Sequence, residues 1–252
     1  MILSGHAAVL LGAGIIAGLV GTAGGITSLV SYPALLAVGL PPLSANIANI
    51  VALLACWPGS AIASRPELAG KGPWLRRWVP AAALGGALGS ALLLSTPPGI
   101  FGRVVPFLVV TGLVALLAQP RLSARRARLP GRHIRLGLPM GLVALTVYGG
   151  YFGAGSGVMI LVLLLFTTGC DLPDANALKN MLVGATVMMS AVAFAAFGSV
   201  DWAAVAPLSA GMFAGSMLGP RITRWMPAAA LRWLIALLGL ALAIQLWLHP
   251  GS

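Results

Sequence analysis

The stretch YGGYFGAGSGVMI, residues 148–160, lies inside one of the most apolar parts of the chain and decides how the fold is read. Five of its thirteen residues are glycine, a poor interior residue for any helix. The apolar run around it extends from Arg135 to Gly169, well beyond the ~20 residues that cross a bilayer as one helix. A second long run, 7–39, is broken the same way, by GTAGG at 21–25. Irregular backbone at membrane depth is tolerated only when it is buried in protein or lines a cavity. Both runs therefore predict a turn at mid-membrane, built to serve a site.

The composition fits an integral membrane protein. The 252 residues are 59% hydrophobic and 8% charged, whereas a soluble domain carries roughly 25% charged residues. No basic residue precedes the first apolar run, which leads directly into further spans, so a cleaved signal peptide is not expected. Cys56 and Cys170 sit in apolar surroundings and suggest neither a disulfide framework nor a metal site. The net charge of +11 does not point to nucleic acid. It lies in short loops between apolar spans, as cytoplasmic loops require. One such loop holds Arg65, Lys71, Arg76 and Arg77; another holds Arg121, Arg125, Arg126, Arg128, Arg132 and Arg135.

Clear spans cover 43–64, 76–95, 99–119, 174–197, 202–220 and 228–248. Together with the broken runs they form two similar halves. A shift of 131 residues places Gly24 on Gly155, Pro42 on Pro173 and Asn49 on Asn180. A shift of 130 places Gly85 on Gly215 and Gly89 on Gly219; a shift of 129 places Pro98 on Pro227 and Arg103 on Arg232. The predicted organisation is a first transmembrane repeat at 1–120, a basic cytoplasmic linker at 121–134 and a second repeat at 135–252. If each broken run crossed the membrane, the loop with Arg221, Arg224 and Arg232 would face outward, against the charge rule. If each run is instead a re-entrant hairpin, every half has three crossings, the repeats are inverted, and loops 65–77, 121–135 and 220–228 all face the cytoplasm. Both termini and loop 198–202 then face outward. A half-helix of ~13–15 residues rises about 20 Å, enough to reach past the bilayer centre without spanning it. The fold class is thus an all-α polytopic membrane protein of two inverted-topology repeats, each a Gly-broken re-entrant hairpin plus three transmembrane helices.

Two hairpin tips at the midplane suit an anion. Helix N-termini carry unpaired N–H groups and about half a positive charge, and in transporters they converge between inverted repeats. The expected donors are the backbones of Gly24, Gly25, Ile26, Gly155, Ser156 and Gly157, with hydroxyls from Thr22, Thr27, Ser156 and Tyr151. The chain's four asparagines, Asn46, Asn49, Asn176 and Asn180, all follow a broken run, in the helix after it. Polar side chains within a span suggest function, though asparagines also serve as interhelical hydrogen bonders. Lys179 stands beside Asn180. It either faces the pathway or snorkels to the cytoplasm. Gly85, Gly89, Gly211, Gly215 and Gly219 read as helix-packing glycines. Valine at Gly24 or Gly155 is expected to abolish transport.

YGGYFGAGSGVMI followed by DLPDANALKNMLV resembles the second-half signature of the TauE/SafE proteins, the sulfite-exporter-like anion permeases. GLVGTAGGITSLVSYPALLAVGLPPLSANIANIVALLA resembles their first-half signature. The resemblance covers nearly the whole chain. It implies a multi-pass protein of the bacterial inner membrane and a substrate among small sulfur-containing anions such as sulfite and sulfonates. At SANIANI the chain departs from the commoner family pattern of small hydroxylated residues, which bears on the finer substrate assignment.

The expected function is a permease for a small anion, exporting sulfite or an organosulfonate held between the two tips. Its partners are that anion and the lipid bilayer, without nucleic acid; a homo-oligomer stays open. A membrane enzyme finds no catalytic histidine or carboxylate pair in the spans, and no cofactor or metal is expected. The alternatives are a carrier of another small metabolite or cation, which a carboxylate at the tips would have favoured, or an accessory membrane protein without transport activity. An interior-negative potential of ~100 mV pushes a lone monovalent anion outward with about 2.3 kcal/mol. Export on its own therefore needs no coupling.

Overall fold

A computed structural model describes residues 2–128 and 137–222. The described chain is all-helical, with eleven helices in the order α1 (Ile2–Gly24), α2 (Ser28–Ala37), α3 (Pro42–Leu53), α4 (Cys56–Ala63), α5 (Arg65–Leu68), α6 (Gly72–Leu94), α7 (Pro98–Arg128), α8 (Gly137–Tyr151), α9 (Ser156–Thr167), α10 (Leu172–Phe197) and α11 (Trp202–Ile222). Among the described residues, five stretches are long and apolar enough to cross a membrane: His6–Gly24, Pro42–Ala63, Gly72–Leu94, Leu172–Phe197 and Trp202–Gly219. The last two expectations, the loop at 220–228 and the span at 228–248, fall almost wholly outside the described residues, as do Arg132 and Arg135.

The helices break where glycine predicts. α8 stops at Tyr151 and α9 starts at Ser156; α1 stops at Gly24 and α2 starts at Ser28. Gly155 precedes α9 with φ 77°, and Gly25 follows α1 with φ 83°, values that L side chains rarely adopt. Two details differ from expectation. α1 has 23 residues, so the first arm of this run is no half-helix by length, whereas α2, α8 and α9 are short. The basic segment opens as helix, because α7 continues to Arg128; RLSARRAR is rich in the strong helix formers Ala, Leu and Arg.

Two triplets of parallel helices form the frame. In the first, α8 and α10 flank α6. A Cβ at Gly85 would strike Thr146, and one at Gly89 would strike Val147 and Tyr151. On the other side Thr186 Oγ1 donates to Ala82 O at 3.2 Å and Ser190 Oγ to Gly86 O at 3.0 Å. In the second triplet α1 and α4 flank α11. A Cβ at Gly215 would strike Ile15 and Leu19, and one at Gly219 would strike Thr22 and Leu19, while Cys56 Sγ points to Met212 O at 3.8 Å. The contacts correspond under the shifts found in the sequence. Gly85–Thr146 maps onto Gly215–Ile15, and Ala82–Thr186 onto Met212–Cys56. These glycines let backbones approach closely, the packing that helices in lipid rely on.

The ends of the bundle follow. Lys71 pairs with Asp174 at 2.6 Å, which joins the start of α6 to the start of α10. The hydrogen bond it donates to Asp174 is the main reason the Lys71 ammonium titrates above its ordinary range. Leu138 and Pro139 of α8, and Thr167 and Thr168 at the end of α9, line one pocket with Lys71 and Trp74. Both outer ends of the α8–α9 pair therefore lie at this basic end, and Gly141 faces Leu163 across the pair. At the opposite end Gly198 approaches Leu94.

Candidate functional site

The two breaks meet. A Cβ at Gly25 would lie 2.6 Å from the Gly157 carbonyl carbon and from Val158 N; one at Gly157 would lie 2.8 Å from Gly25 Cα. Only glycine on both sides permits that approach. Aromatic rings wedge the second break in place. Phe152 is buried and meets Tyr32 edge-on at 5.6 Å and Phe101 at 6.2 Å.

Beside this contact is a cavity of about 40 Å³, room for on the order of three water-sized groups at ~10–15 Å³ each. Of the predicted residues, Thr22, Gly25, Thr27, Ser156, Gly157, Lys179 and Asn180 line it. The sequence reading missed Gly21, Ser28, Gly153, Cys56, Trp57 and Ser60, which line it too. A polar pair in CWPGS, inside a span, was the available signal for Cys56 and Ser60. No carboxylate lines the cavity; the chain's four acids are Glu67, Asp171, Asp174 and Asp201.

Lys179 is 1% exposed, and its Nζ lies 3.3 Å from Gly21 O. The side chain therefore turns inward to the cavity and does not snorkel. Gly21 O also accepts from Gly25 N and belongs to the last turn of α1, at the negative end of the helix dipole.

The asparagines brace the breaks from across the molecule. Asn176 Nδ2 and Asn180 Nδ2 both donate to Thr22 O, at 2.9 and 3.1 Å. Asn46 Nδ2 donates to Tyr151 O at 3.0 Å. Each half thus satisfies the open carbonyls at the other half's broken helix. Asn49 Nδ2 donates to Ser28 Oγ at 3.0 Å and its Oδ1 accepts from Ser31 Oγ, so it holds a cavity hydroxyl in place from behind. Asn180 alone of the four lines the cavity.

The remaining predicted residues lie elsewhere. Tyr151 turns its hydroxyl to Thr96 Oγ1 at 3.4 Å, away from the cavity. Gly24 is the last residue of α1, at a C-terminal end and not at the start of α2. Among the predicted backbone donors, Gly25 N already donates to Gly21 O at 2.6 Å and Ser156 N to Gly153 O at 3.2 Å. Gly157 and Val158 hold the second and third positions of α9, where a helix offers N–H groups no acceptor of its own.

Paired helix breaks, a buried cation and a small polar cavity inside an apolar bundle define a membrane transporter. Comparison with known proteins gives the family. The sequence profile described as Sulfite exporter TauE/SafE matches residues 7–246, and the chain belongs to that family. It is 26% identical over 255 residues to a "Probable membrane transporter protein" of Haemophilus influenzae, covering 96% of each chain. It is also 26% identical to "Probable membrane transporter protein ORF9" of a Sinorhizobium species, covering 94% of this chain and 91% of the relative. "Probable membrane transporter protein YfcA" of Escherichia coli K12 is again 26% identical, over 82% of this chain and 77% of its own. No solved structure matches at a comparable level of significance.

Proposed function

We propose that the chain is a permease for small anions of the sulfite and organosulfonate class, and that the anion sits in the cavity between Gly25 and Gly157. One observation carries this reading: a buried lysine and several hydroxyls wall the cavity, with no carboxylate among its lining residues. A whole positive charge beside a helix start attracts an anion and repels a cation. The small volume favours a compact oxyanion. For an anion that crosses alone, the membrane potential favours export.

The same reading treats α1–α2 and α8–α9 as re-entrant hairpins of two inverted repeats. The repeated contacts of the two helix triplets support it, as does the return of α9 to the end where α8 begins. Both termini then face outward, in a bacterial inner membrane. Cysteine labelling tests this topology in a background without Cys56 and Cys170. Ser199→Cys is expected to react with an impermeant maleimide from outside intact cells, and Gly70→Cys is not. The opposite pattern contradicts the inverted arrangement.

Transport in proteoliposomes tests the function. Labelled methanesulfonate is expected to cross, with competition from sulfite and other small sulfonates and little from acetate. Absence of flux for every anion in a panel of sulfite, sulfonates, sulfate and acetate contradicts the reading.

A further inference from the structure

Among the described residues that line its cavity, no carboxylate faces Lys179. Among the described residues, the elements around the cavity bring few titratable groups. α4 brings Cys56, whose thiol faces Met212 O. On α10, Asp174 pairs with Lys71, and Asp171 accepts from Asp174 N at the helix start. Tyr32 of α2 donates to Pro42 O, Tyr148 of α8 to Ala154 O and Tyr151 to Thr96 Oγ1; Arg65 and Glu67 of α5 and Arg76 and Arg77 of α6 complete the groups on helices packed against α10, and none of them lines the cavity. Arg221 is exposed at the end of α11. α3 and α9 carry no titratable residue, and α1 carries only His6, near its opposite end. The Lys179 ammonium is buried, with Gly21 O as its protein hydrogen-bond partner at 3.3 Å.

An isolated ion is costly to hold in such a place, and so is an isolated anion. Side by side, each compensates the other. An empty cavity offers the lysine no such partner.

Resting on the anion reading of this cavity, we infer that Lys179 is the proton carrier of the transport cycle: one proton accompanies each monovalent anion. The proton passes from water on the loading side to the Nζ lone pair as the anion enters. It returns to water on the far side as the anion leaves. One N–H bond forms and later breaks, and nothing is oxidised or reduced. The loaded site is neutral and blind to the membrane potential. The outward push on a lone anion then disappears, and the combined anion and proton gradients set the direction.

Methanesulfonate is the probe, because it stays ionised across the working pH range and carries no proton itself. In proteoliposomes of the whole protein, an inside-alkaline gradient is expected to raise internal methanesulfonate above the external level. A potassium–valinomycin potential is expected to leave the flux within about two-fold. A trapped pH dye should report roughly one proton entering per anion. Lys179→Arg fixes the charge, so whatever methanesulfonate exchange it retains should no longer respond to the pH gradient. If potential drives wild-type accumulation and the pH gradient does not, the coupling is overturned while anion transport stands. If the wild type shows neither exchange nor accumulation, the anion reading fails and the coupling with it. The wild-type measurements decide the matter even where the Arg variant does not fold.

Discussion

Gly25→Val is expected to abolish transport while the protein is still made and inserted. The residue sits at φ 83°, where a β-branched side chain is strongly disfavoured. Its Cβ would also enter the Gly157–Val158 backbone at 2.6 Å. The strain and the overlap each cost about 1–3 kcal/mol, and both fall on the contact that sets the cavity. Gly157→Ala drives the same contact apart from the other side. Gly155→Val is expected to fail as well, through its left-handed backbone. Gly24→Val, which the sequence alone put beside Gly155, is now expected to be tolerated, because a Cβ there meets only Ile26 at 3.7 Å. Flux measured against the amount of inserted protein checks the series. Normal kinetics for Gly25→Val would show that the meeting of the two breaks is not the site.

Lys179→Met is expected to weaken anion affinity roughly ten- to a hundred-fold, or about 1–3 kcal/mol, the scale of a hydrogen bond to a charged group. Methionine keeps much of the bulk, so the loss reports the ammonium. Arginine should keep part of the affinity, since a planar fork does not replace a compact ammonium. Asn176→Ala and Asn180→Ala should each cost less, because both amides serve the same Thr22 carbonyl. Their double substitution should cost more than the sum of the two. Competition by unlabelled methanesulfonate in the flux assay measures each affinity. Unchanged affinity in Lys179→Met would leave the cavity to backbone and hydroxyl groups alone.

The parts of the fold legible in the sequence were those written locally. Glycine density marked both breaks, and the equivalence of Gly85 with Gly215 foretold matching helix contacts. The first break moved by a residue because the Gly25 N–H still closes a bond to Gly21 O, winding α1 through Gly24. Less legible were features set by packing between distant residues. Asn46 and Tyr151 are 105 positions apart, and Asn176 and Thr22 are 154 apart. Polarity flagged these asparagines, but nothing in their spacing told a brace from a ligand. Cys56, Trp57 and Ser60 belong to a span that reads as a plain crossing, and their place at the cavity arises only once α4 packs on α10. Trp57 lies against Gly184 there, a pairing without local signature. For Lys179 the sequence left two directions open, and packing chose the inward one.

The location of the bound anion tests the central claim most directly. Crystals of the protein grown with a bromine-labelled small alkanesulfonate give an anomalous signal at the ligand. The peak is expected in the cavity between Gly25 and Gly157, within reach of Lys179 Nζ. A peak elsewhere, for instance in the pocket lined by Lys71 and Arg77, with that cavity empty at saturating ligand, would contradict the account.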